Sequence, residues 1–238
     1  MLENTTIWIT GASRGIGLAI AEKLANENAV LILSSSNPHT IKNIIPKFKD
    51  NKNVYFFPFD LADADAVVTV YDKIMATIGK IDILINNAGT ARLIPFTDTT
   101  LEEFDKMINV NLRGCFLTIK SVLPDMLSRK EGMIININSN AAIKTFKKSS
   151  VYSASKAGLL AMSKSLREEV RGEGIKIIDI FPGATATEIW SGEVLEKMGD
   201  GMIKPEEIAE LVYNVIILNA KSGFITEEIL VKPQRGDL

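Results

Sequence analysis

Tyr152 and Lys156 stand four residues apart in the run Tyr152-Ser153-Ala154-Ser155-Lys156. On a helix that spacing places both side chains on one face, one turn apart. A phenol ordinarily keeps its proton to about pH 10, and a neighbouring ammonium favours the phenolate. Such a pair can give or take a proton near neutrality. Ser139 lies upstream, after an apolar run, and offers a hydroxyl that could hold the same reacting oxygen. Singly these residues are ordinary. A Tyr-x-x-x-Lys pair mostly decorates a helix surface, and a serine after a strand mostly makes a turn. Their weight comes from what accompanies them.

The first companion is Thr10-Gly11-Ala12-Ser13-Arg14-Gly15-Ile16-Gly17, which follows an apolar run and precedes a helical one. Glycines there let the chain turn sharply and bring backbone N–H groups close to a diphosphate, and the helix N-terminus adds a favourable partial charge. The spacing is Gly-x-x-x-Gly-x-Gly. It lacks the Lys-Ser/Thr ending of a P-loop, which argues against a nucleoside triphosphatase.

The elements that must carry these residues alternate. Residues 5–9, 29–33, 54–59, 81–85, 133–137, 175–181 and 224–231 read as strands. Most are apolar throughout, as expected of strands buried on both faces of a parallel sheet. Residues 16–27, 64–78, 101–128, 152–172 and 205–219 read as helices, the last opened by Pro205-Glu206-Glu207. The alternation predicts an α/β fold: a doubly wound, mostly parallel seven-stranded sheet with helices on both faces. No repeat or linker divides the chain, so residues 1–238 are expected to form one domain, with a lid at about 183–204.

Bulk properties narrow the classes further. The 238 residues are 46% hydrophobic and 24% charged, with a net charge of -2, which leaves no footprint for nucleic acid or an anionic membrane. Cys115 is the one cysteine, expected to be a small buried hydrophobe in a reducing compartment. No leader pattern and no apolar stretch of about 20 residues stands out, so the expectation is a soluble, cytoplasmic protein. No cluster of His, Cys, Asp and Glu has metal-ligand spacing, so no metal is expected.

Four further segments complete a pattern: Asn86-Asn87-Ala88-Gly89; Asn111 within Asn109-Val110-Asn111-Leu112; Ser139 followed by the Tyr152–Lys156 run; and Pro182-Gly183 followed by Thr187. In this order, with the glycine loop, they resemble the short-chain dehydrogenase/reductase family in its short single-domain form, over about residues 5 to 190. The resemblance implies an oxidoreductase that moves a hydride between a nicotinamide dinucleotide and a carbonyl/alcohol pair. Tyr152 would be the general acid/base and Ser139 would orient the substrate oxygen. Lys156 would lower the phenol's proton affinity and hold ribose hydroxyls, and Asn111 would anchor a relay water. Along the cofactor it implies Gly11, Ser13, Gly15, Ile16 and Gly17 at the diphosphate, Asp60 and Leu61 at the adenine, and Asn87, Ala88 and Gly89 beside the dinucleotide. Pro182, Gly183, Thr185 and Thr187 would lie near the nicotinamide, with Thr187 at its carboxamide.

The second strand ends in Ser34-Ser35-Ser36-Asn37, without the acid that binds a ribose 2′-hydroxyl in NAD enzymes. Hydroxyls there, with the guanidinium of Arg14, suit a 2′-phosphate, so NADP is expected over NAD. The stretch after Ser139 holds Lys144, Lys147 and Lys148, which could draw an acidic acyl carrier or simply be solvated. A small carbonyl compound or an acyl thioester is the expected substrate. Relatives form dimers or tetramers through their long helices, so a homo-oligomer is expected. Two departures from the family pattern are visible. Asparagines flank Ser139 in Asn136-Ile137-Asn138-Ser139-Asn140, and the C-terminal run from Ile229 to Leu238 lacks the common Asp-Gly-Gly ending. The rival reading is a nucleotide-sensing binding module without catalysis; such a protein would typically have lost Tyr152 or Lys156. A nucleotide-sugar epimerase or dehydratase would need a longer chain.

Overall fold

The computed structural model describes residues 2–220 and 223–236, so Asp237 and Leu238 of the C-terminal run lie outside it. The described residues form seven strands: β1 (Thr6–Thr10), β2 (Val30–Ser34), β3 (Val54–Phe56), β4 (Ile83–Asn86), β5 (Gly132–Ile137), β6 (Ile175–Pro182) and β7 (Glu228–Val231). They form one sheet in the order β3-β2-β1-β4-β5-β6-β7. Every pairing is parallel, for example Trp8 beside Ile32 on one side and Leu84 on the other. The expected doubly wound sheet is therefore present, and it is wholly rather than mostly parallel.

The apolar runs make sense once both faces are covered. Along β1, Ile7 and Ile9 join the core under α1 (Gly15–Ala25) and α8 (Pro205–Ala220). Trp8 points the other way, into the core under α3 (Ala64–Ile78) and α5 (Gly114–Arg129). Side chains alternate across a strand, so a strand between two helical layers must be apolar at every position. The remaining helices are α2 (Pro38–Ile44), α4 (Leu101–Ile108), α6 (Ser150–Val170) and α7 (Gly192–Met198). Among the described residues, no helix is long and apolar enough to cross a membrane.

Several elements differ from the sequence expectation; β7, for one, is confined to Glu228–Val231 within the expected 224–231. The third strand stops at Phe56 instead of Phe59, although the N–H groups of Phe57 and Phe59 still bond to Leu33 and Ser35. Pro58 between them has no N–H to continue a regular ladder. The expected helix 101–128 is two helices joined through a π-helical turn at Asn109–Arg113, where the Gly114 N–H reaches back five residues to the Asn109 carbonyl. Such widened turns occur within helices, often at functional sites. The expected lid contains the short α7, and Asn37 followed by Pro38 opens the unforeseen α2.

Strand β1 lies between β2 and β4, so the chain leaves by one side of β1 and returns on the other. At this switch the loops after β1 and β4 diverge, which opens a crevice at the carboxyl ends of the strands.

Candidate active site

The glycine loop lines this crevice under severe steric limits. Gly11 and Gly15 have φ of +65° and +53°, a region that side chains rarely adopt. A Cβ on Gly17 would lie 2.4 Å from the Gly11 carbonyl oxygen and 2.3 Å from Asn87 Nδ2. Gly17 thus packs behind the turn instead of facing the crevice. Asn87 braces the same turn by donating from Nδ2 to the carbonyls of Thr10 and Gly11, each at 3.0 Å. The N–H groups of Asn87 and Ala88 both donate to Thr10 Oγ1 at 3.1 Å. Asn87-Ala88-Gly89 is therefore both crevice wall and structural strut.

From this loop a groove of about 980 Å³ runs to Tyr152 and Lys156. It brings together Gly11, Ser13, Arg14, Gly15, Ile16, Ser34, Ser35, Ser36, Asp60, Leu61, Asn87, Ala88, Gly89 and Thr187. A smaller cavity of about 410 Å³ adjoins it, walled by Leu93, Phe146, Ile189 and Trp190. Ser139, Pro182, Gly183 and Thr185 line this smaller cavity and not the groove. Tyr152 lines both, as do Ile16, Asn138, Thr187 and Ile189.

The catalytic candidates come from three elements. Tyr152 and Lys156 sit in the first turns of α6. Lys156 is buried, and its ammonium donates to the Ile137 carbonyl at the end of β5, at 2.9 Å. Ser139 follows two residues later and accepts from the Ala141 N–H at 3.1 Å, which leaves its own hydroxyl proton available. Asn111 lies in the π turn, wholly buried and outside both cavities. Its Nδ2 donates to Thr90 O and Ser155 Oγ at 2.9 and 3.0 Å, and its Oδ1 accepts from Thr90 N–H at 2.8 Å. The carboxamide of this residue, which the resemblance puts beside a relay water, clamps the chain after β4. It remains close to Lys156: a Cβ on Gly89 would lie 3.5 Å from Asn111 Oδ1 and 3.8 Å from Lys156 Nζ.

Other expected residues sort by what their side chains touch. Ser34 is buried: its hydroxyl accepts from the Trp8 indole N–H at 3.0 Å and its carbonyl from the Ala12 N–H at 2.9 Å. Ser35 instead joins Ser13 and Thr40 in a hydroxyl cluster, at 2.9 and 3.4 Å. Arg14 is exposed, with Nη1 3.5 Å from the Glu188 carbonyl. Asp63, not Asp60, caps α3, and Asp60 accepts from Ala62 N–H in a local turn. Thr185 is buried just after β6, donating to Gly183 O, while its carbonyl takes the Trp190 indole N–H at 3.0 Å. Cys115 is buried, and desolvation pushes its thiol up to about 11, so it stays a protonated, inert hydrophobe. Sequence reasoning overlooked Thr10, which receives two backbone N–H groups, and Asn138, which stands where the cavities meet. Only the asparagines around Ser139 hinted at the latter.

This arrangement has counterparts. The family model described as short chain dehydrogenase matches residues 5–197. The chain belongs to the short-chain dehydrogenase family. An uncharacterised oxidoreductase of Staphylococcus saprophyticus is 33% identical over 234 residues, covering 98% of each chain. Another, from Staphylococcus aureus, is 32% identical over 225 residues, covering 94% of this chain and 95% of its own. Among solved short-chain dehydrogenase folds, a metagenomic short-chain oxidoreductase in complex with NADP superposes with a TM-score of 0.84 at 29% identity, covering 98% of both chains. An alcohol dehydrogenase from the archaeon Thermococcus sibiricus, complexed with 5-hydroxy-NADP, gives 0.88 at 26% identity, covering 99% of both. In short-chain dehydrogenase terms, the groove is the candidate cofactor site and the smaller cavity the candidate substrate site.

Proposed function

We propose that this protein is an NADP(H)-dependent reductase or dehydrogenase of a carbonyl/alcohol pair, with Tyr152 as general acid/base. The observation that carries the reading is the position of Tyr152 at the junction of the two cavities, with Lys156 in the larger and Ser139 lining the smaller. The groove fits a dinucleotide: its glycine turn has no room for a Cβ on the Gly11 and Gly17 side, and it opens at the N-terminus of α1. The nicotinamide supplies or accepts the hydride when bound.

The residues of the chain do the rest. Gly15, Ile16 and the start of α1 face the diphosphate, and Asp60 and Leu61 the adenine end. Ser35, Ser36 and Arg14 face the 2′-phosphate, the choice of NADP over NAD resting on the absence of an acid beside them. Thr187 closes the nicotinamide end. In the reducing direction Tyr152 gives its proton to the oxygen that gains charge, and Ser139 holds that oxygen with its free hydroxyl proton. Lys156, pinned by the Ile137 carbonyl one turn along α6 from Tyr152, replaces the proton that Tyr152 gives up. Asn111 is assigned a positioning role through Thr90 and Ser155. The whole chain acts as one domain, with 183–204 as a lid tied to Arg14. The apolar smaller cavity suits the body of a ketone, an aldehyde or an acyl group on a thioester. Exposed Phe104 and Phe116 on α4 and α5 favour a homodimer or homotetramer.

The test is NADPH oxidation over a panel of ketones, aldehydes and acyl thioesters, with NADPH and NADH affinities measured by fluorescence. Tyr152→Phe is expected to bind NADPH normally and to lose turnover by on the order of a thousandfold or more. Unchanged turnover in that variant would end the mechanism, and equal affinities for the two cofactors would remove the NADP assignment.

A further inference from the structure

The buried polar groups behind Ser139 converge on one carboxylate. Asp179 of β6 is fully buried. Its Oδ2 pairs with Arg167 Nη2 of α6 at 3.1 Å. Its Oδ1 accepts from Ser163 Oγ at 3.2 Å and from Asn138 Nδ2 at 3.3 Å. Donors line up toward it from across the sheet: Thr118 donates to Asn86, Asn86 to Asn136, and Asn136 to Ser163. An ionised carboxylate only accepts, so it dictates which face of the Asn138 amide it meets. The Asn138 carbonyl oxygen must then turn away, and it is buried with no hydrogen-bond partner among the described residues.

This arrangement costs stability twice, through a desolvated carboxylate and through an orphaned acceptor. What it secures is a three-residue stretch. The Ile137 carbonyl anchors Lys156, Asn138 is held on β6 by Asp179 and by its own N–H to the Ile180 carbonyl at 2.8 Å, and Ser139 follows. We propose that Asp179 is a positioning residue for this active site, fixing through Asn138 the strand end that both carries Ser139 and anchors Lys156. The proposal rests on the catalytic reading above and adds a residue to which that reading gives no role.

The same geometry implies a pH signature, because a protonated Asp179 could also donate and would release the Asn138 amide. Burial pushes the Asp179 carboxyl up to about 6 against the pull of Asn138, Arg167 and Ser163. The groups that face it are Arg167 from α6, with Glu227 and Glu228 beyond that guanidinium, and the Cys115 thiol from α5, which lies within the field of Lys156 as well.

The experiment compares wild type, Asp179→Asn, Asn138→Ala and the double variant, with nitrobenzaldehyde as reporter under saturating NADPH. Each single variant is expected to lose about tenfold or more in kcat, while the NADPH affinity of Asp179→Asn stays within about twofold. The double variant should be no worse than the poorer single one, since both changes break one linkage. The wild-type fall in kcat below about pH 6 should vanish in both single variants. Should Asp179→Asn fold poorly, Asn138→Ala keeps the Arg167 pair and carries the same kcat and pH expectations. Unaltered kcat and pH profile, or losses that multiply in the double variant, overturn the positioning role alone. A wild type that binds NADPH yet reduces no carbonyl on the panel overturns the catalytic reading and this one with it.

Discussion

Ser34 and Ser35 are adjacent and chemically identical, yet their hydroxyls take different partners. Ser34 holds the Trp8 indole inside the core, whereas Ser35 joins the cluster at the mouth of the groove. Ser34→Ala should therefore cost stability, about 1–3 kcal/mol for an orphaned buried indole N–H, and leave cofactor affinity alone. Urea unfolding alongside an NADPH titration separates the two effects. Ser35→Asp should do the reverse. A carboxylate there repels a 2′-phosphate and accepts from a 2′-hydroxyl, so the NADPH/NADH affinity ratio should fall by about tenfold or more, read by fluorescence titration. A ratio unmoved by Ser35→Asp would place the phosphate elsewhere.

At the scale of elements, the π turn at Asn109–Arg113 decides where the long helix presents Asn111. The carboxamide closes three hydrogen bonds that the chain after β4 and α6 would otherwise leave open. Asn111→Ala should thus lower unfolding free energy by about 2–3 kcal/mol, and it should impair turnover by loosening the wall beside Lys156. The loop before α3 offers a matched pair. Asp63→Ala removes the N-cap and should cost about 1 kcal/mol with no effect on NADPH. Asp60→Ala should weaken NADPH binding and cost less stability, because Asp60 lines the groove and holds only the local turn at Ala62, not the α3 N-cap. Chemical denaturation and cofactor titration of the two variants check both halves.

Across the whole molecule, the buried Asp179 links pH to stability. Its carboxyl sits at about 6 in the folded chain against an ordinary value of 3.8, with desolvation as the main cause. Between those values the folded chain holds more protons than the unfolded one, so its contribution to unfolding free energy falls as pH rises through the window. The charge at neutrality should cost at most about 3 kcal/mol, recovered progressively as pH drops from 7 toward 4. Asp179→Asn lacks this titration. Urea unfolding at pH 7 and pH 5 should show the wild type gaining stability relative to the variant at the lower pH. A difference that stays constant would mean that Arg167 and the surrounding donors fully offset the burial.

Local spacing and alternation were enough to read the parallel sheet, the glycine turn and the Tyr152–Lys156 pair, because each depends on neighbours in the chain. Apolar strands need cover on both faces, a turn without Cβ atoms needs glycine, and a four-residue interval on a helix shares a face. What a side chain does once buried depends on partners far along the chain. The indole that claims Ser34, the backbone that claims Asn111, the cap that falls to Asp63 and the carboxylate that orients Asn138 are all contacts over a distance in sequence or a choice between near neighbours. Composition cannot make those choices. They follow from the requirement that every desolvated donor and charge find a partner within the packed fold, and only the packing of the sheet determines which partner is within reach.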